Sequence, residues 1–206
     1  MKIVLIQPKL EKTIGQIADE MHNHPDADIL VFPEGYLNEN VEEACSLAKR
    51  YRTIFIGGYR RLQERPKDRA LIINRAGEIV LDRVKYSETV FVREEGLTVG
   101  ILLCDELIKM GLSVRQEREI DLIVHPIGVG MYSEEQFEEW IREARRIAVS
   151  QQVMIIGASH ADGSFRGSDV SIPIAYAIDK EGEALFIAKN DVRTRILDFR
   201  AKSVTV

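Results

Sequence analysis

The 206-residue sequence has no apolar run long enough to cross a bilayer, which takes about 20 successive apolar residues. The apolar run near its start, residues 3–6, is also much shorter than a signal-peptide core. We therefore expect a cytoplasmic protein that does not bind membranes. A basic stripe is missing as well: the net charge is −5, with acidic and basic residues interleaved. This distribution does not favour a nucleic-acid partner.

Cysteine and histidine are scarce. The two cysteines, Cys45 and Cys104, and the four histidines form neither a C-x-x-C nor an H-E-x-x-H pattern. These spacings are typical of zinc sites, so we predict no metal and no other cofactor. In a reducing compartment both cysteines are expected to be free thiols.

Linkers and low-complexity tracts are missing too, and 206 residues suit one domain. Short apolar runs, several without alternation, predict strands buried on both faces. They cover residues 2–7, 29–32, 53–59, 70–74, 78–83, 98–104, 122–126, 153–159, 171–178, 184–189 and 193–199. Apolar residues at helical spacing predict helices at 11–23, 39–51, 106–118 and 133–151, and turn residues predict hairpins at 75–78 and 179–182. We expect a single α/β domain, residues 1–206, with a mixed sheet system covered by helices.

Three reactive side chains stand at the ends of predicted strands. Glu34 follows the apolar run 29–32 and Pro33, Lys85 follows residues 79–84, and Cys104 ends another apolar run. Taken singly, each has an ordinary explanation as a loop carboxylate, a solvated lysine or a small core residue. Strand ends in helix-covered sheets are where ligand crevices form, so the three together indicate a candidate site.

The motifs around these residues resemble a known family. F-P-E at 32–34, V-K-Y at 84–86 and G-I-L-L-C-D-E at 100–106 are similar, in that order, to the three signatures of the nitrilase (carbon–nitrogen hydrolase) superfamily. The similarity continues through the opening strand, the hairpin at 70–80 and the segment 144–159. The resemblance implies an α-β-β-α sandwich of the nitrilase type. It also implies a homodimer that hydrolyses non-peptide C–N bonds of small amides, nitriles or carbamoyl compounds.

The resemblance assigns a role to each motif residue: Glu34 is the general base, Lys85 the electrostatic stabiliser and Cys104 the nucleophile. Their chemistry suits these roles. A thiol with a pKa near ~8.5 needs a base or a nearby cation to react at neutral pH. A carboxylate can take the proton, and an ammonium favours the thiolate and stabilises the oxyanion of the intermediate. The backbone N–H of Asp105 is expected to be a second oxyanion donor, so we place Asp105 at the substrate.

The connection between the lysine and the cysteine departs from the family pattern. Only 19 positions separate Lys85 from Cys104, much fewer than usual in the family. The missing part normally carries pocket loops and a second glutamate beside the lysine. Glu88 is the best match to that glutamate and is predicted to lie at the substrate, with Glu94 or Glu95 as alternatives.

Two further polar residues end strands near the same crevice. His125 and Ser159 are predicted to contact the substrate, and a structural role is the alternative for each. Two other classes of function also stay open. One is a catalytically silent relative that binds a small molecule or a partner. The other is a thiol hydrolase of a different type, which acts on thioesters or pairs Cys104 with His125 or His160.

Overall fold

The computed structural model describes residues 1–112 and 119–206. A first sheet forms from strands near both ends of the chain. Its strands are β1 (Lys2–Leu5), β2 (Ile29–Val31), β3 (Ile54–Arg60), β4 (Asp68–Ile73), β5 (Ile79–Val84), β12 (Arg195–Asp198) and β13 (Ser203–Thr205). They lie in the order β13-β12-β1-β2-β3-β4-β5. The strands β1, β2 and β3 are parallel, and the remaining neighbours are antiparallel.

A second sheet repeats this plan. Its strands are β6 (Phe91–Glu94), β7 (Leu97–Ile101), β8 (Leu122–Ile127), β9 (Met154–Ser159), β10 (Ile174–Ile178) and β11 (Ala184–Lys189), in the order β11-β10-β9-β8-β7-β6. Here β7, β8 and β9 are parallel, and antiparallel strands flank them on both sides. Each sheet therefore has a parallel centre with antiparallel edges.

The helices cover the outer faces of the two sheets. They are α1 (Gly15–Asn23), α2 (Val41–Tyr51), α3 (Glu106–Lys109) and α4 (Glu134–Gln151). One apolar cluster joins α1 and α2 to the first sheet, and another joins α3 and α4 to the second. A third cluster lies between the sheets and contains side chains from both. The expected α-β-β-α sandwich is confirmed. None of the helices within the described residues is long and apolar enough to span a membrane.

The observed elements differ from the predicted ones at several ends. β6 and β13 were not predicted, because each is a short strand at a sheet edge with mixed polarity. The helix predicted at 106–118 is observed only as Glu106–Lys109, and residues 113–118 lie outside the described residues. The start of α4 is as predicted: Ser133 accepts a hydrogen bond from the Gln136 N–H at 3.2 Å.

Strand direction places the candidate residues. β2, β3 and β5 run the same way, so the residues after β2 and β5 emerge at one edge of the first sheet. The residues after β7, β8 and β9 emerge together from the second sheet in the same manner. These two edges meet: the His160 Nε2, just after β9, donates a hydrogen bond to the carbonyl oxygen of Glu34 at 3.1 Å.

Candidate active site

The structure brings Glu34 and Lys85 together at the edge of the first sheet. Glu34 follows β2 and Lys85 follows β5, and the Lys85 Nζ lies 2.9 Å from the Glu34 Oε1. Both residues are buried, with exposures of 5% and 9%. Buried charges persist in a protein when they are paired, so this contact holds both groups in place.

Close backbone packing surrounds the Glu34 carboxyl. A Cβ atom at Gly58, on β3, would lie 2.8 Å from the Glu34 Cα. A Cβ atom at Gly128, just after β8, would lie 2.6 Å from the Glu34 Oε2. The glycine at 58 therefore lets β3 approach the Glu34 backbone closely, and the glycine at 128 leaves the carboxyl in its observed position.

Cys104 lies on a tight turn after β7. Its φ is +47°, a left-handed conformation that is uncommon for a non-glycine residue and is often found at functional sites. Its N–H donates to the Pro126 carbonyl at 2.8 Å, and its carbonyl oxygen lies 2.8 Å from the His125 Nε2. The turn that presents the thiol is therefore held from both sides by the end of β8.

The His125 ring has one defined tautomer. A carbonyl oxygen can only accept, so the Nε2 carries the hydrogen that it donates to Cys104. The Nδ1 then accepts from the Tyr176 hydroxyl at 2.6 Å. Burial lowers the pKa of His125 to about 4, so the ring is neutral near pH 7.

The Glu34–Lys85 pair and the thiol influence one another electrostatically. Burial raises the pKa of Glu34 to about 7 against the opposing charge of Lys85. Burial disfavours the ammonium form, but the carboxylate of Glu34 keeps the pKa of Lys85 above its ordinary value. Burial and the negative charge of Glu34 raise the pKa of the Cys104 thiol, while Lys85 and the Gly128 N–H act to lower it. Lys85 thus favours the thiolate, as expected, but the net effect of the site is a protonated thiol.

A second carboxylate contacts the lysine, and it belongs to Asp105. The Asp105 Oδ1 lies 2.9 Å from the Lys85 Nζ, and its Oδ2 accepts from the Tyr86 hydroxyl at 2.7 Å and lies 2.6 Å from the Lys109 Nζ. Although partial burial opposes ionisation, the hydrogen bonds from Lys109, Lys85 and Tyr86 lower the pKa of Asp105 to about 2. Asp105 is therefore ionised at neutral pH.

The glutamates predicted to lie beside Lys85 are found elsewhere. Glu88 is exposed and has no ion pair within the described residues. Glu95 pairs with Arg75 at 2.8 Å, and Glu94 lies in β6 opposite Leu97. The shortened connection forms the β6–β7 hairpin instead, and the residue after the cysteine provides the second carboxylate.

The other two predicted substrate contacts are buried in the protein. His125 is fully buried, and both ring nitrogens have partners, neither of which is the Cys104 sulfur. The Ser159 hydroxyl donates to the His160 carbonyl and accepts from the Ile174 N–H, both at 3.0 Å. The Ser159 hydroxyl oxygen also lies 3.5 Å from the Gln7 Nε2. We therefore place both residues in the supporting structure rather than at the substrate.

A buried ion pair beneath the site was not predicted. Arg83, on β5, pairs with Glu106, the second residue after Cys104, at 2.6 Å. The sequence signal was available in principle, because Arg83 falls at an inward-facing position of its strand and an acidic dipeptide follows the cysteine.

Several solved structures of carbon–nitrogen hydrolases share this architecture. A carbon–nitrogen hydrolase from Helicobacter pylori G27 has a TM-score of 0.77 at 13% identity, over 98% of this chain and 90% of that one. Saccharomyces cerevisiae Nit3, of branch 10 of the nitrilase superfamily, has a TM-score of 0.75 at 15% identity, over 95% and 88%.

A third similar structure shows a ligand. It is a variant of the amidase from Nesterenkonia sp. AN1 with the acetamide moiety of fluoroacetamide added covalently at its active-site cysteine. Its TM-score is 0.75 at 13% identity, over 95% of this chain and 89% of that one. No family sequence model and no curated sequence matches this chain. The likeness is one of fold, and it confirms the nitrilase-type fold inferred from the motifs.

Proposed function

We propose that this chain is a carbon–nitrogen hydrolase that cleaves a small amide, nitrile or carbamoyl compound through a thioester on Cys104. One observation carries the proposal: Lys85 contacts two carboxylates, and its charge acts on the thiol of Cys104, which lies on a left-handed turn. Such a turn projects a side chain away from its flanking backbone. An apolar core residue has no need of this conformation or of a neighbouring lysine.

In this mechanism Glu34 is the general base. Its raised pKa, about 7, lies near the operating pH, where a group both takes and returns protons efficiently. The resting thiol is protonated, so Glu34 removes its proton as the sulfur attacks the substrate carbon. With an amide substrate, Glu34 then delivers this proton to the leaving nitrogen, and in the second half it activates the water that hydrolyses the thioester.

Lys85 stabilises the charge that develops on the substrate oxygen. An ammonium has three N–H donors, and Glu34 and Asp105 occupy two of them. The third is free to meet the oxyanion. The backbone N–H of Asp105 is a second donor, since it makes no hydrogen bond within the described part of the chain. Two donors fixed before the reaction are the arrangement that lowers the barrier to acyl transfer.

Asp105 takes the place that the resemblance gives to a second glutamate. Its carboxylate is a second anionic partner of Lys85 beside Glu34, at the same distance of 2.9 Å. Two anionic partners keep the lysine charged in a buried position, where a lone ammonium would lose its proton. The shortened Lys85–Cys104 connection is therefore compatible with an active site.

The geometry favours a Glu–Lys–Cys site over a Cys–His pair. The His125 Nε2 contacts the carbonyl oxygen of Cys104, and the His160 Nε2 contacts the carbonyl oxygen of Glu34. Neither of these nitrogens is available to take a proton from the thiol. The pH dependence of hydrolysis should therefore still follow the ionisation of Glu34 when His125 or His160 is replaced.

Covalent trapping tests the proposal. Fluoroacetamide should alkylate Cys104, with a new S–C bond, loss of fluoride and transfer of the thiol proton to Glu34. Peptide mapping by mass spectrometry should find the adduct on Cys104 and not on Cys45, and the adduct should be absent in Cys104→Ala and much slower to form in Glu34→Gln. Ammonia release from acetamide and butyramide should depend on the same residues.

The control is Cys45, a partly buried thiol on α2 whose pKa burial also raises. Equal labelling of the two cysteines, with no hydrolysis of amides, nitriles or carbamoyl compounds, would instead indicate a catalytically silent binding protein.

A further inference from the structure

A buried ion pair links the two sheets directly beneath the candidate site. Arg83 belongs to β5 of the first sheet, and Glu106 follows β7 of the second. Their contact is bidentate: the Arg83 Nη1 lies 2.9 Å from the Glu106 Oε1, and the Nη2 lies 2.6 Å from the Oε2. The exposures are 5% for Arg83 and 0% for Glu106. Paired planar groups of this kind have a narrow range of allowed geometry.

The same carboxylate also binds the backbone beside both functional side chains. The Tyr86 N–H, next to Lys85, donates to the Glu106 Oε1 at 2.5 Å. The Leu103 N–H, next to Cys104, donates to the Glu106 Oε2 at 2.6 Å. One side chain is thus hydrogen-bonded to the immediate neighbour of the lysine and to that of the cysteine.

The guanidinium completes the connection. The Arg83 Nη1 donates to the Ser87 carbonyl at 3.0 Å, and the Nη2 donates to the Ile101 carbonyl at 3.1 Å. Ser87 belongs to the turn that carries Lys85, and Ile101 is the last residue of β7. Arg83 therefore binds both backbone segments that Glu106 binds.

The separation of Lys85 and Cys104 needs such a connection. They stand on different sheets, and no strand pairing joins those sheets within the described residues. Apolar packing between sheets is non-directional, so it sets their spacing less exactly than hydrogen bonds do. Misplacing catalytic groups by about 1 Å can cost about 10²-fold in rate.

We propose that Arg83 and Glu106 are positioning residues that set the Lys85 ammonium against the Cys104 thiol across the gap between the sheets. The inference rests on the proposed roles of Lys85 and Cys104. Neither Arg83 nor Glu106 touches the substrate. Their effect is on the electrostatic coupling between lysine and thiol, which a purely structural ion pair would leave unchanged.

A double-mutant cycle on thiol reactivity measures that coupling. The rate of Cys104 alkylation by iodoacetamide is recorded against pH, with and without Lys85→Ala. In the otherwise unchanged protein, Lys85→Ala should slow alkylation about tenfold or more at a given pH, as a rise of one unit in the thiol pKa requires. In Arg83→Met/Glu106→Gln, which removes both charges and leaves neither unpaired, the same change should have less than about a threefold effect.

The matched control is Arg75→Met/Asp28→Asn. This ion pair, at 2.6 Å, lies at the opposite end of β2 from Glu34. Its removal should leave the full effect of Lys85→Ala. If Arg83→Met/Glu106→Gln does not fold, Arg83→Lys keeps the charge but loses the bidentate contact, and it should also reduce the effect.

The outcomes separate the two proposals. A full tenfold effect of Lys85→Ala in the folded Arg83 variants would overturn the positioning role and leave the proposed function intact. No effect of Lys85→Ala in the otherwise unchanged protein would overturn the proposed arrangement of Lys85 and Cys104, and the positioning role with it.

Discussion

Glu34 should make the stability of this protein depend on pH in an unusual direction. Its carboxyl is buried, and its pKa is raised from 4.5 to about 7. Between these two values the folded protein binds more protons at this group than the unfolded chain does. The contribution of Glu34 to the free energy of unfolding therefore falls as pH rises through this window, and it is constant above about pH 7.

The size of the effect follows from the shift. One pKa unit corresponds to 1.36 kcal/mol, so a rise from 4.5 to about 7 is worth about 3 kcal/mol. The glutamine in Glu34→Gln cannot ionise, so this variant lacks the pH-dependent contribution to the free energy of unfolding. Relative to Glu34→Gln, the unchanged protein should therefore lose about 3 kcal/mol of stability between about pH 4.5 and pH 8. Lys85 keeps Asp105 as its partner in the variant.

Urea unfolding at half-unit pH steps, followed by circular dichroism, measures this difference. Burial lowers the pKa values of His125 and His160, so these two histidines add a pH dependence of their own to the stability. They are present in both proteins, so their contribution cancels in the difference. Glu139→Gln, the same substitution at an exposed position of α4, should follow the unchanged protein at every pH. Parallel curves for Glu34→Gln and the unchanged protein would refute the argument that burial controls this carboxyl.

Three further predictions concern the lysine, its second carboxylate and the assembly. Lys85→Ala should lower the turnover of the folded protein by at least about 10²-fold. Lys85→Arg should not restore it, because a planar guanidinium cannot replace a compact ammonium. Steady-state kinetics test this, and thermal unfolding checks that each variant is folded. Asp105→Asn should speed Cys104 alkylation, since the charge of Asp105 helps to raise the thiol pKa, whereas Lys85→Ala should slow it. If both variants changed the alkylation rate in the same direction, the proposed geometry would be contradicted. The chain should form a homodimer with twofold symmetry, and a monomer mass by light scattering at micromolar concentration would argue against it.

Most of the fold could be predicted from the sequence because its strands are buried on both faces. A strand such as β8, with every residue buried, needs a continuous apolar run, and such a run is visible in the sequence. The edge strands β6 and β13 have mixed polarity and only one neighbouring strand each, so their pattern is weak. The β6–β7 turn did carry a signal in Glu95 and Gly96, both of which adopt positive φ.

The positions of Glu34, Lys85 and Cys104 could also be predicted, because each ends an apolar run and belongs to a recognisable motif. The identity of the carboxylate that lies beside the lysine could not be predicted from the sequence. Glu88 is nearer to Lys85 along the chain, but the turn after β5 leaves it exposed, and the meeting of the two sheets brings Asp105 to the Lys85 ammonium instead.

The protonation state of the thiol likewise depends on the tertiary structure. A cysteine beside a lysine suggests a lowered pKa, yet burial and the carboxylate of Glu34 together raise it. Side-chain identity and chain order are properties of the sequence. Burial and the distance between charges on different sheets arise only when the sheets pack, and these two quantities determine whether a neighbouring charge or desolvation dominates a pKa.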